Sequence, residues 1–362
     1  MNYEERSRAQ VRKLKDQEKV RILSLETSCD ETAAAVIENG RTILSNVVFS
    51  QIDLHELYGG VVPEIASRAH MEACPRVAAE ALEQAGMRLE EIDALAVTCG
   101  PGLVGALLTG VNYMKGLAFA ADKPLIGVNH IEGHVSANFL TSPELEPPFL
   151  CLVVSGGHSH LVEVLDYTHY RVIGRTRDDA VGEAYDKAAR VMGYPYPGGV
   201  ALDQAAKTGD PLSFSFPRPK LSETGGSDLD FSFSGLKTAV INTLHRAEQR
   251  GERNEEMLRD IAASFQYTVC EILTGNTLAA IERTGAKKLV VAGGVSANSG
   301  LRASLTAACS KIGVELYLPP LSLCGDNAAM IGAQGYYEYL FCQKNGSFAG
   351  ADLNAAATMP ID

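Results

Sequence analysis

The eight cysteines of this 362-residue chain include no C-x-x-C pair. Cys29, Cys74, Cys99, Cys151, Cys270, Cys309, Cys324 and Cys342 are scattered, several inside apolar runs where a free thiol behaves as a small hydrophobe. That pattern argues against a disulfide framework and for a reduced, cytoplasmic protein. Basic charge is not in excess either: 32 Lys and Arg face 44 Asp and Glu, a net charge of −12. A general nucleic-acid binder needs a basic face, so only a local basic patch or a basic partner remains open. No stretch is long and apolar enough to span a bilayer, and no membrane association is expected. Residues 1–20, "MNYEERSRAQVRKLKDQEKV", lack the apolar core of a secretory signal and carry acidic residues that transit peptides avoid. They predict a solvated helical extension outside the fold.

What is present is ordinary in bulk and informative in detail. Apolar residues make up 46% and charged residues 21%, as in soluble globular chains long enough for one large or two medium domains. The 34 glycines cluster at the ends of apolar runs, which suggests ligand loops. "VRILSLETSCDETAAAVIENGRTILSNVV" reads as a β-meander, residues 59–86 as an Ala-rich helix capped by Gly86, and residues 92–128 as strand, Gly-Pro-Gly turn, helix, strand. The order then recurs. Residues 149–174 form a second meander, helices follow near 181–192 and 255–284, and residues 286–319 give another strand, Gly-rich turn, helix and strand. Two similar α/β lobes with a ligand cleft between them are expected. Residues 207–234 read as a long Pro/Ser/Gly-rich loop of the kind that serves as a lid or partner contact. The tail from Gly346 reads as loosely held.

Several short motifs carry polar groups at element ends. In "VNHIEGHVSANF", His130 and His134 stand one helical turn apart just past a strand. They suit metal ligands, catalytic bases or a solvated helix face. The H-E-x-x-H zincin pattern is absent, which leaves a metallopeptidase unsupported. "LVVSGGHSH" ends a strand in Ser155, Gly156 and Gly157, a turn whose N–H groups suit phosphate or carboxylate, or simply a hairpin. "LVVAGGVSANSGLR" opens a helix with Ser296 and Asn298, where Asn298 either reaches a nucleotide or caps the helix. Asp326 precedes an Ala-rich helix as a cap or as the carboxylate that completes a two-histidine metal set. Asp186 sits on a helix, Gly198 and Gly199 in a turn, with Asp203 soon after. Thr27, Ser28, Asp30 and Glu31 fill the first hairpin turn, where hydroxyls and carboxylates either bind phosphate or its magnesium or merely make the turn.

In order and spacing, "LETSCDETAAAVI", "VTCGPGLVGALLTG", "NHIEGH", "VSGGHS", "GEAYDKAAR", "YPGG", "FSFSGLKTA", "GGVSAN" and "CGDNAAMIG" resemble the tRNA N6-adenosine threonylcarbamoyltransferase family, of the bacterial or organellar type. The resemblance runs from about Arg21 to about Gly335. It implies an α/β fold of the actin/Hsp70/sugar-kinase type with two RNase H-like lobes. The corresponding bounds are 1–20 for the extension, 21–148 and 149–320 for the lobes, 321–345 for a segment that carries Asp326 back to the first lobe, and 346–362 for the tail. It further implies one divalent metal ion per chain, iron or zinc, on His130, His134 and Asp326. Val153, Val154, Ser155, Gly156 and Gly157, with Asp186, Gly199, Asp203 and Asn298, match its substrate-binding positions. The implied reaction moves a threonylcarbamoyl group from threonylcarbamoyl-AMP to N6 of adenosine 37 in tRNAs that read codons beginning with A. Implied partners are tRNA, a degenerate paralogous subunit and a small ATPase subunit. No catalytic base is assigned; Asp30 and Glu31 are candidates. The rival readings are a small-molecule kinase of the same fold, which has no need of paired histidines, and a non-catalytic nucleotide-binding scaffold, which has no need of metal ligands.

Overall fold

The computed structural model describes residues 3–13, 17–219, 227–345 and 348–361. The chain divides into two compact units, one of Met1–Pro147, Leu165–His169 and Pro320–Asp362, the other of Pro148–Val164 and Tyr170–Pro319.

In the first unit, helix α1 (Tyr3–Lys13) precedes β1 (Arg21–Glu26), β2 (Glu31–Glu38) and β3 (Thr42–Ser50). These three strands pair antiparallel as the expected meander. The short α2 (Ile52–Glu56) and long α3 (Pro63–Gln84) lead to β4 (Ala94–Gly100), α4 (Val104–Ala121), β5 (Leu125–Asn129) and α5 (His130–Ser136). β4 runs parallel to β1 and β5 parallel to β4; parallel pairs require crossovers, and α3 lies on the path from β1 to β4 while α4 links β4 to β5. The sheet order is β3-β2-β1-β4-β5. Alternate residues of its strands point to opposite faces. Leu23, Leu25, Leu95 and Val97 meet α3 and α4 in one core. Ile22, Ala33, Ala35 and Ala96 join a second core with the last helix of the chain. Both faces are covered at β1, β2, β4 and β5, whose central residues therefore read as near-continuous apolar runs, while the edge strand β3 is largely exposed.

The second unit repeats the plan. β6 (Phe149–Val154), β7 (Ser159–Val164) and β8 (Tyr170–Arg175) form an antiparallel meander. Helices α6 (Val181–Met192), α7 (Gly198–Ala206), α8 (Ser234–Arg250) and α9 (Glu255–Thr284) follow. Then come β9 (Lys288–Ala292), α10 (Ser299–Ile312) and β10 (Glu315–Tyr317), with β9 parallel to β6 and β10 parallel to β9. The order is β10-β9-β6-β7-β8. Helix α11 (Ala328–Asn345) belongs to the first unit.

Four expectations need correction. Of residues 1–20, the described ones, 3–13 and 17–20, do not lie outside the fold: α1 buries Tyr3, Ser7 and Val11, the Tyr3 hydroxyl donates to the Lys123 carbonyl at 2.6 Å, and Val20 is buried beside β1; residues 1–2 and 14–16 lie outside the described residues. The polar composition of α1 hides a buried stripe at the helical spacing of 3, 7 and 11, apolar at Tyr3 and Val11 with the small Ser7 between them. The tail is not loose either. Ala349 bridges to Leu125, Ala356 donates to the Cys99 carbonyl, and Gly102 donates to that of Ala357. Small residues give little signal of such backbone pairing. Residues 207–233 do form a loop up to the start of α8 at Ser234, as far as they are described, but not a free lid: Phe216, Leu229, Phe231 and Phe233 are buried in the core of the second unit. Residues 220–226 of that stretch, and 346–347 of the tail, lie outside the described residues. Finally, Gly198 and Gly199 are the first turn of α7 and not a separate turn. The Asp186 carboxylate accepts from the Gly199 N–H at 3.2 Å and satisfies that helix start. A Cβ on Gly198 would meet the Asp186 backbone at 2.8 Å, so the approach of α7 to α6 requires glycine there.

Candidate metal centre and glycine-rich turn

Parallel strand β5 delivers the chain into α5 with no intervening loop. Asn129 makes the junction: its Oδ1 accepts from the Ile131 N–H at 2.9 Å, and its Nδ2 donates to the carbonyls of Met359 and Pro360 at 3.4 and 3.2 Å. One turn of helix then sets the rings of His130 and His134 edge to face, centroids 4.6 Å apart. Asp326, just before α11, completes the group. Its Oδ1 lies 3.5 Å from His130 Nε2 and 3.1 Å from His134 Nε2. One ligand atom from each of the three residues falls within 4.8 Å of the others. The capping role left open for Asp326 belongs to its neighbour, because Asn327 Oδ1 accepts from the Met330 N–H at 3.0 Å.

These residues fit a cation. His134 is 1% exposed and neither ring nitrogen makes a hydrogen bond. Leaving such groups unsatisfied costs about 1–3 kcal/mol, which a bound cation accepting a ring lone pair recovers. Negative charge also accumulates nearby: burial, then the charges of Asp326 and Asp30, push the Glu31 carboxyl up to about 9. Burial lowers the His130 imidazole, but Asp326 and Glu26 outweigh it and raise it to about 9. A cation entering here displaces that proton and relieves the carboxylates. Two imidazoles and one carboxylate with open positions suit zinc in a catalytic setting or ferrous iron.

The turn after β1 closes over this group. The Thr27 hydroxyl donates to the Ala106 carbonyl at 3.0 Å and thereby serves the fold, while Ser28 Oγ lies 3.1 Å from His130 Nδ1. Glu26, absent from the sequence-based candidates, is fully buried and lies 3.1 Å from the same nitrogen. Its sequence signal was a charge closing the run "ILSL", whose positions are uncharged and buried, in the strand "RILSLE".

In the second unit, the turn after β6 is tied by a Ser155 N–H donated to the His158 carbonyl at 2.8 Å and a His158 N–H donated to Ser155 Oγ at 3.1 Å. Val153 and Val154 are buried beneath it, and the Cα atoms of Gly156 and Gly157 face open space. Gly293, at φ +90°, runs against the Val154 carbonyl so closely that a Cβ there would lie 2.4 Å from that oxygen. Asp203 accepts from the Ser299 N–H and hydroxyl at 3.2 and 2.8 Å, at the start of α10. Asn298 caps that helix by accepting from the Leu301 N–H at 2.9 Å, and its Nδ2 donates to Gln266 Oε1 at 2.7 Å. Asp186 and Gly199 are joined as described above.

A family model described as TsaD, tRNA N6-adenosine threonylcarbamoyltransferase, matches residues 42–333. The chain belongs to this family. The tRNA N6-adenosine threonylcarbamoyltransferase of Clostridium botulinum strain 657 is 52% identical over 344 residues, covering 95% of this chain and 98% of that protein. Its counterpart from Clostridium perfringens strain SM101 is 53% identical over 341 residues, covering 94% and 98%. Among solved structures, full-length HypF in a phosphate- and nucleotide-bound form covers 89% of this chain and 46% of its own, at 13% identity and a TM-score of 0.56. Component A of the Acidaminococcus fermentans (R)-2-hydroxyglutaryl-CoA dehydratase covers 89% and 99%, at 15% identity and a TM-score of 0.52. These two likenesses bear on fold alone, and the fold is of the actin/Hsp70/sugar-kinase type.

For this threonylcarbamoyltransferase-family chain, the structure gathers His130, His134 and Asp326 into one group in the first unit. Val153 to Gly157, Asp186, Gly199, Asp203 and Asn298 all lie in the second unit. Among the described residues no helix is long and apolar enough to cross a membrane.

Proposed function

We propose that this chain transfers a threonylcarbamoyl group from threonylcarbamoyl-AMP to N6 of adenosine 37 in tRNAs reading codons that begin with A, giving t6A. The observation that carries the reading is the convergence of His130, His134 and Asp326, with His134 buried and unsatisfied, in a chain of this family. Those three side chains would hold one divalent ion, iron or zinc. Such an ion, when bound, polarises a carbonyl oxygen and leaves positions for substrate oxygens.

The remaining work falls to the chain's own groups. Gly156 and Gly157 lack side chains over the turn, which lets the backbone N–H groups approach an anionic or carbonyl oxygen of the donor. Val153 and Val154 fix the strand end that aims them. Asp186 through Gly199, Asp203 through Ser299, and Asn298 through Leu301 hold two helix starts in place for the nucleotide part. The attacking amine must lose a proton, and Asp30 and Glu31 are the candidate acceptors. With a net charge of −12, binding a polyanionic tRNA calls for help from other proteins, which we take to be a degenerate paralogous subunit and a small ATPase, in the cytoplasm.

The test is nucleoside analysis of unmodified tRNA after incubation with this chain, its partner subunits and threonylcarbamoyl-AMP. We expect t6A in the wild type. ATP-dependent phosphorylation of a small molecule with no t6A formed would replace this reading with the kinase one.

A further inference from the structure

Glu26 is a charged residue with no solvent exposure, at the end of a strand in the middle of a sheet. An ionised carboxylate there needs several donors. It has three: the Ser28 N–H reaches Oε1 at 2.5 Å, the Thr98 hydroxyl reaches Oε2 at 2.5 Å, and His130 Nδ1 lies 3.1 Å from Oε2. A carboxylate only accepts hydrogen bonds when ionised, so the proton between it and His130 sits on Nδ1. That assignment leaves Nε2 of His130 as the nitrogen that gives up its proton to a cation, on the side that faces Asp326, 3.5 Å away.

We propose that Glu26 is the positioning residue of the metal centre, fixing His130 as the Nδ1–H tautomer and aiming Nε2 at the ion shared with His134 and Asp326. His134 has no equivalent, since its Nδ1 makes no hydrogen bond. One histidine is therefore pre-set by a carboxylate at Nδ1, and the other has no hydrogen bond at that nitrogen. The inference rests on the metal reading above and deepens it. Outer carboxylates of this kind typically change metal affinity by about 10- to 100-fold when removed.

The competing role is structural: Glu26 also ties the hairpin turn to β4 through Ser28 and Thr98. A double-mutant cycle separates the two, read as the affinity of Zn2+ alone against a chromophoric chelator. Glu26→Gln should weaken zinc by about 10- to 100-fold in the wild-type background and by less than about twofold in a His130→Ala background. Thr98→Val, which removes another donor to the same carboxylate, should leave zinc affinity within about threefold of wild type. Equal losses from Glu26→Gln in both backgrounds, or a loss from Thr98→Val as large as that from Glu26→Gln, would overturn the positioning role. If His130→Ala alone leaves zinc affinity unchanged, the metal reading itself fails, and this inference with it. A measurement on the unmutated protein covers a variant that does not fold. Ring 15N spectra of the zinc-loaded wild type should show His130 protonated at Nδ1, and zinc on Nδ1 would overturn the proposal.

Discussion

β1 and β6 hold the same middle place in two sheets of the same strand order, and they end in opposite chemistry. β1 finishes in Glu26, a buried charge that ties itself to Ser28, Thr98 and His130. β6 finishes in Val154, followed by Ser155 and two glycines with open space over them. The first unit gathers side-chain charge: two imidazoles, Asp326, Glu31 and Glu26. The second offers backbone and neutral amide groups, and its acids are spent on helix starts, Asp186 on Gly199 and Asp203 on Ser299. The same topology thus yields a centre suited to a cation and a turn suited to an anion or carbonyl. Nothing in strand order distinguishes them. The difference lies in a few residues at the strand ends.

The largest break expected is in the first unit alone. His130→Ala, His134→Ala and Asp326→Ala should each reduce bound metal to background and abolish t6A formation, with melting temperatures within a few degrees of wild type, because each unit's core is independent of an ion. Metal per chain by mass spectrometry, read beside thermal unfolding, checks this. Retention of metal by His134→Ala would return that residue to an ordinary buried histidine.

A break in the second unit should look different. Gly293→Ala puts a side chain at φ +90° and a Cβ against the Val154 carbonyl. It should cost about 1–3 kcal/mol in urea unfolding and weaken binding of threonylcarbamoyl-AMP, while metal content stays at the wild-type level. Loss of metal in this variant would mean that the two chemistries are not separable.

Asn298→Ala is the smallest of the three. Loss of the α10 cap should cost about 0.5–2 kcal/mol. If Asn298 also meets the nucleotide, adenine nucleotide affinity should fall by about 1–3 kcal/mol by calorimetry. Because both ends of its amide already have partners in Leu301 and Gln266, an unchanged affinity would confine it to capping.

The meanders, the crossovers and the repeat were legible in the sequence because apolar runs and turn residues report them directly. The paired histidines were legible too, since helical spacing puts them on one face. Other features depend on contacts that spacing does not encode. In "GDNAA" both Asp326 and Asn327 suit a helix cap, and only the folded chain shows Asn327 taking that role. Glu26 meets His130 across 104 residues, so beside "TSCDE" it reads as one more turn carboxylate. Tyr3, Ser7 and Val11 were hidden by the charged residues around them, and the tail by its small ones.

The most direct test is t6A formed per chain as metal is restored to chelator-stripped wild-type protein, with partners, donor and unmodified tRNA in excess. The account predicts almost no t6A without metal and a rise that saturates at about one ion per chain, as expected for a single three-ligand centre with open positions. Full activity in the stripped protein, or saturation that persists in His134→Ala, would contradict it.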